Sequence, residues 1–206
     1  MKIIYMFVEG KTETAFKPHL IAFLKTRLAG KMPKLEFRSQ SGRVPKQDKL
    51  KRMVIDCLTD KRKPGDAVIA LSDVYTGPAK EFPTAAIAKK LMWEWVGAEP
   101  RFHPHVALHD FEAWLLPYWS TIQRLTGSNR KSPGADPEKV NHGNSPAYRL
   151  KEIFETGKKS TSYVKARDAG RILKDQDLTV SIESCSEFKA FVNTIFRICD
   201  PTKVIP

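Results

Sequence analysis

Apolar residues follow two periods in turn along the first part of this chain. IIYMFVE (3–9) is apolar, rich in β-branched and aromatic residues, and bounded by Gly10, the pattern of a buried strand. In TETAFKPHLIAFLKTRLAG the residues Ala15, Phe16, His19, Leu20, Phe23, Leu24 and Leu28 fall on one helical stripe, with Gly30 as the expected stop. Pro18 is awkward there and calls for an early turn or a kink. KLEFRS (34–39) alternates like a strand, and KQDKLKRMVIDCLTDK (46–61) is an amphipathic helix with Leu50, Met53, Val54 and Leu58 inward. AVIALSDV (67–74) predicts a second buried strand, TAAIAKKLMWEWV (84–96) a helix, RFHPHVALH (101–109) a strand, and DFEAWLLPYW (110–119) the opening of another helix.

Strand and helix thus alternate over about 120 residues, which predicts an α/β fold: a mostly parallel sheet flanked by helices on both faces. The pattern then changes. TGSNRKSPGADPEKVNHGNSP (126–146) is rich in Gly, Pro, Ser and Asn and reads as a loop. AYRLKEIFE, SYVKARDAGRILKD and SEFKAFVNTIFRI read as three helices, so the C-terminal part is helical. No strong strand pattern follows residue 110, and there is no internal repeat.

Composition narrows the class. The 206 residues are 41% hydrophobic and 28% charged, ordinary for a globular protein. No apolar run approaches the roughly 18 residues needed to span a bilayer, and MKIIYMFVEG turns acidic too soon for a signal peptide. Cys57, Cys185 and Cys199 are odd in number and far apart, with neither metal-ligand spacing nor a disulfide framework. The expectation is a cytoplasmic protein with no membrane partner. Charge changes the picture more. The net charge is +12, and residues 25–63 hold thirteen Lys or Arg against four acids. Such a cluster is the electrostatic footprint of nucleic-acid binding, DNA or RNA, with Arg43, Lys46, Lys49, Lys51 and Arg52 as the candidate contacts.

Chemistry concentrates in VEGKTE (8–13). Gly-Lys-Thr at a strand-to-helix turn evokes a phosphate-binding loop, but that loop needs a glycine five residues before Gly10, where Tyr5 stands within the strand. The dinucleotide G-x-G-x-x-G pattern is absent too. A carboxylate site fits better. Glu9 ends a strand, Glu13 lies one turn into the next helix, and Asp73 ends the second buried strand. If those strands are neighbours, three acids converge, and a cluster of oxygen ligands calls for Mg²⁺ or Mn²⁺. The competing account makes Glu13 a first-turn acid favoured by the helix dipole and Asp73 a cap.

VEGKTE resembles the opening motif of Toprim domains, nearest to that of the overcoming-lysogenization-defect (OLD) nucleases. Further segments resemble a small bacterial Toprim-like family of unknown function. They are SDVYTGP with FP (72–83), HVALHDFEAWLL (105–116), SPAYRLKEIF with SYVK (145–165), and SCSEFKAFV (184–192). The change of pattern divides the chain into an α/β domain over residues 1–125 and a loop and helical extension, 126–206, packed on it as one compact unit; the resemblance implies that the α/β part is Toprim-like. It implies a metal-dependent nuclease with Glu9, Glu13 and Asp73 as ligands, and Lys165, which matches the family's lysine, steadying charge on the phosphoryl group beside catalytic Glu9. It also implies phage or mobile-element defence with an ATPase partner. The chain departs from a standard Toprim motif in lacking a second aspartate after Asp73; Glu112 is the candidate to replace it. In HDFEA, Asp110 stands where the family more often has Glu. With an incomplete acid set, a non-catalytic nucleic-acid-binding or regulatory subunit is the alternative.

His103, His105 and His109 share a face if RFHPHVALH is a regular strand, yet no strict zinc spacing is present and Pro104 would disturb the ladder. His109, Asp110 and Glu112 lie at that strand's carboxyl end, the favoured edge for a site. Trp93, Trp95, Trp114 and Trp119 are expected in the core.

Overall fold

The computed structural model describes residues 1–40, 42–76, 80–141 and 144–206. Gly77 and Pro78 of SDVYTGP, and His142 and Gly143 of the predicted loop, lie outside the described residues. Four strands, β1 (Ile3–Val8), β2 (Lys34–Ser39), β3 (Ala67–Asp73) and β4 (Phe102–Ala107), form one sheet in the order β2-β1-β3-β4. Every neighbouring pair is parallel. The two central strands are apolar throughout because both faces are covered. Ile4, Met6 and Val8 enter one core with α1 (Lys11–Leu28), while Tyr5 and Phe7 enter the other beneath α2 (Gln47–Thr59) and α3 (Ala85–Trp95). Pro104 is tolerated because β4 is an edge strand, free of ladder bonds on its outer side.

The remaining helices are α4 (Trp119–Thr126), α5 (Pro146–Thr156), α6 (Lys165–Leu173), α7 (Leu178–Ser184) and α8 (Ser186–Cys199). All contribute to the α1 side, and the core there crosses residue 125 without a break. The Trp114 ring stacks on Phe188 with centroids 4.5 Å apart, and Phe16 of α1 meets Phe111 at 5.2 Å.

Four local expectations differ. Pro18 does not interrupt α1; it is exposed, on the side where the carbonyl it leaves unpaired can be hydrated. The helix expected from residue 110 is a 3₁₀ run, Phe111–Tyr118, and α-helix starts only at Trp119. Pro117 lacks the donor, and its ring crowds the carbonyl four residues back, which disfavours an α-turn there. Helix α7 was not predicted, because LTVSIES is rich in β-branched residues; Asp177 caps it by accepting from the Thr179 N–H at 2.9 Å. Trp93, expected in the core, is 41% exposed, since α3 covers the sheet with its opposite face.

Candidate active site

The carboxyl ends of all four strands open onto one cleft of about 510 Å³. Its walls carry Glu9 after β1, Gly10 to Glu13 at the cap and first turn of α1, Ser39 at the end of β2 with Gly42 and Arg43 after it, and Asp73 at the end of β3. Phe111 and Glu112, beyond β4, and Lys165 at the start of α6 complete it. A parallel sheet makes this edge the meeting point of loops from distant parts of the chain.

Each acid is held by the backbone that surrounds it. Oε1 of Glu9 accepts from the Ser72 hydroxyl at 2.5 Å, the Asp73 N–H at 3.2 Å and the Val44 N–H at 3.3 Å. Oε1 of Glu13 accepts from the Glu9 N–H at 3.3 Å, so the two acids of VEGKTE are tied across the turn. Asp73 Oδ1 accepts from the Phe111 N–H at 2.9 Å and so holds the 3₁₀ run against β3. Asp73 is thus also a cap, though to an element far away in sequence. Glu112 has no exposed surface. Its Oε1 accepts from Thr12 and from Tyr163, each at 3.3 Å, and lies 3.3 Å from Lys165 Nζ. Its buried Oε2 takes no hydrogen bond among the described residues.

The electrostatics of this floor favour a cation. Burial, followed by Glu9, Glu112, Glu13 and Asp110, pushes the Asp73 carboxyl well above the usual carboxylate range. Burial, opposed by the Ser72 bond, raises Glu9; burial and then the Glu112 charge raise Glu13; burial and then Asp110 raise Glu112. Burial alone would lower the Lys165 ammonium, but Glu112 and Asp73 outweigh it and hold it above its ordinary value. Lys165 is also the first residue of α6, where the helix dipole disfavours a cation, so the acids hold it there. Among the described residues no group of three or more His, Cys, Asp or Glu side chains is arranged so as to hold a metal ion. The donors share a cleft without closing on a point. Their chemistry nonetheless fits a hard dication: the set is oxygen-only, and one buried carboxylate oxygen lacks a partner.

Of the other predicted residues, Arg43 lines the cleft and Lys46 pairs with Glu81 beside it. Lys49, Lys51 and Arg52 are exposed on α2 and do not line it. The histidines go to different neighbours. The strand ends at Ala107, short of His109. His105 Nε2 is 3.0 Å from the Thr194 hydroxyl on α8, and His109 Nδ1 is 3.4 Å from Asn141. Asp110 is buried and fastens the start of α5 by accepting from the Ala147 N–H at 3.1 Å, with the Tyr75 hydroxyl at 3.4 Å. Thr12, Ser72 and Tyr163 were not singled out from the sequence; hydroxyls carry no spacing signature, and only their contacts with Glu9 and Glu112 mark them.

These features define an α/β protein with an acid-floored, cation-rimmed cleft at the carboxyl edge of a parallel sheet. The chain belongs to the family described as a domain of unknown function, DUF4276, which matches residues 8–195. No curated protein matches it. Among solved structures, the C-terminal region of the Burkholderia pseudomallei OLD protein is similar at TM-score 0.51 and 16% identity, over 96% of this chain and 98% of that one. The C-terminal region of the Xanthomonas campestris pv. campestris OLD protein gives TM-score 0.44 at 14% identity, over 95% and 96% of the two chains. The first likeness is one of fold. Among the described residues no helix is long and apolar enough to cross a membrane.

Proposed function

We propose that this protein is a divalent-metal-dependent phosphodiesterase acting on DNA or RNA through a Toprim-type site. The observation that carries the reading is the gathering of Glu9, Glu13, Asp73 and Glu112 on the walls of one cleft whose rim holds Lys11, Arg43 and Lys165. Four buried or half-buried acids in one cleft work against folding unless a cation balances them, and perturbed acids in a cleft mark functional sites. The likeness of fold to an OLD C-terminal region supports the same reading.

Glu9 and Asp73, anchored through one oxygen each, would hold Mg²⁺ or Mn²⁺ with Glu13, and Glu112 would serve from the buried side. The bound ion supplies Lewis-acid polarisation of the scissile phosphate and an activated water. The chain's own residues do the rest. Ser72 and the Asp73 and Val44 N–H groups fix the Glu9 carboxylate in orientation. Lys165, half-exposed at the mouth, neutralises charge that builds on the phosphoryl oxygens. Arg43 and the exposed cations of α2 attract the polyanion without reading its sequence, so affinity falls steeply with salt.

Incubation of plasmid and of RNA with the protein and Mn²⁺, beside Glu9→Ala, tests the reading. Cleavage that requires Mn²⁺ and disappears in Glu9→Ala is expected; cleavage that survives the substitution removes the site. One observation favours a second reading. Lys165 already neutralises Glu112, as suits a non-catalytic nucleic-acid-binding subunit. Calorimetry decides between the two: no heat of Mn²⁺ or Mg²⁺ binding at millimolar concentration favours the subunit.

A further inference from the structure

Beside the acidic cleft lies a smaller hollow of about 150 Å³, bounded by Val74, Tyr75, Lys80 and Phe82 and sharing Asp73 and Arg43 with the cleft. It is smaller than the roughly 300 Å³ at which whole-ligand pockets begin, and so is sized for one group of a larger ligand. Arg43 and Lys80 line it, and a third cation, Lys46, reaches it through Glu81, which also lines it. Arg43 Nη1 lies 3.7 Å from Glu81 Oε2, Lys46 Nζ contacts Glu81 Oε1, and the Lys80 ammonium lies 6.0 Å from the centre of the Tyr75 ring. One carboxylate, Glu81, therefore occupies the anion position between Arg43 and Lys46.

That pairing does little for the fold. The side chains of Arg43, Lys46 and Glu81 are 71%, 45% and 41% exposed, and ion pairs so open to water add little to stability. Exchanging the carboxylate for a better acceptor costs correspondingly little. A phosphate offers more acceptor oxygens and a geometry suited to the arginine fork. We infer that Arg43, Lys46 and Lys80 form a subsite for one backbone phosphate of a nucleic acid, and that Glu81 occupies this subsite in the free protein as a competing anion. The shared wall at Asp73 and Arg43 places that phosphate next to the acidic cleft, so the subsite sets where the strand enters it. The inference rests on the nucleic-acid reading of the cleft and deepens it, but it requires no metal and no catalysis.

The test is fluorescence anisotropy with a labelled single-stranded oligonucleotide in EDTA at low salt, with and without a terminal 5′-phosphate. Glu81→Gln is expected to tighten binding about 3- to 10-fold and to steepen the salt dependence by roughly one phosphate's worth. The gain should vanish when Arg43→Ala and Lys46→Ala are added. Glu94→Gln, which removes an exposed acid paired with Lys90 on α3, should give less than 2-fold. A gain confined to the 5′-phosphorylated strand assigns the subsite to a chain end; an equal gain on both assigns it to internal phosphates. Binding with no response to Glu81→Gln, or a gain matched by Glu94→Gln or persisting without Arg43 and Lys46, overturns the subsite alone. No binding by any of the proteins overturns the subsite and the nucleic-acid reading together.

Discussion

Lys165 Nζ stands 3.3 Å from Oε1 of Glu112, a carboxylate with no exposed surface. The lysine reaches the buried floor of the cleft. Its removal takes away the charge that opposes the rise of the Glu112 pKa, so the buried carboxyl either stays ionised without compensation or takes up a proton; the uncompensated case costs about 3–5 kcal/mol when both partners are buried. The Lys165 side chain is 54% exposed, so solvent screening reduces the expected loss for Lys165→Met to about 1–2 kcal/mol by urea unfolding. Mn²⁺ should then raise the melting temperature of Lys165→Met more than that of the parent protein, because it supplies the missing positive charge. Equal shifts would show that the ion binds away from Glu112.

His105 sets a pH dependence of definite sign. Burial, with lesser repulsion from Lys89, His103 and Arg197, lowers its pKa to about 3. A histidine with a depressed folded-state pKa contributes stability that is complete above the unfolded value near 6.5 and is lost as pH falls toward 3. Between pH 7 and pH 4 the contribution should fall by roughly 3 kcal/mol. His105→Gln should flatten that part of the stability curve; an unchanged slope would place the acid-labile group elsewhere.

Glu138 fastens the segment between α4 and α5 to the body of the protein. It is 6% exposed and accepts from Trp114 Nε1 at 3.1 Å, the Ser186 hydroxyl at 2.9 Å and the Glu187 N–H at 3.1 Å. Glu138→Ala strands those donors and should cost about 2–4 kcal/mol, with Glu138→Gln intermediate because it retains one acceptor. Proteolysis between residues 126 and 146 should accelerate in parallel. Destabilisation without faster cleavage would mean that the segment is held by other contacts.

Gly157 follows α5 where its backbone passes close to that of α4. A Cβ there would lie 2.4 Å from the Thr126 carbonyl oxygen and 2.9 Å from that of Ile153. Neither oxygen belongs to a side chain that could swing away. Gly157→Ala should therefore cost about 2–3 kcal/mol in thermal or urea unfolding, as overpacking does. Gly30→Ala, with open space at its Cβ, is the matched control and should be nearly neutral.

The alternation of period-2 and period-3.6 patterns was enough to read the four strands, α1 to α3 and the helical C-terminal part, because burial on a sheet face or a helix stripe is written locally in spacing. Glu9, Glu13 and Asp73 were legible for a similar reason: each sits at or just past the end of a strand, where a parallel sheet puts its sites. Glu112 was legible in the same way, past the end of the 101–109 strand, but its part as a replacement ligand, and Lys165 altogether, came through the resemblance of their segments to a known family, and no local pattern in the chain would have paired them. The 3₁₀ course of Phe111–Tyr118 and the helix Leu178–Ser184 escaped, since packing on Trp114, Phe188 and their neighbours overrode propensity. The sequence by itself determined the class of fold, the basic surface and which acids stand at strand ends. Only the tertiary structure decided that those acids share one cleft, that Lys165 pairs with Glu112, and that Glu81 sits between Arg43 and Lys46. These are contacts between residues tens to more than a hundred positions apart, and strand order, which no local period encodes, sets their distances.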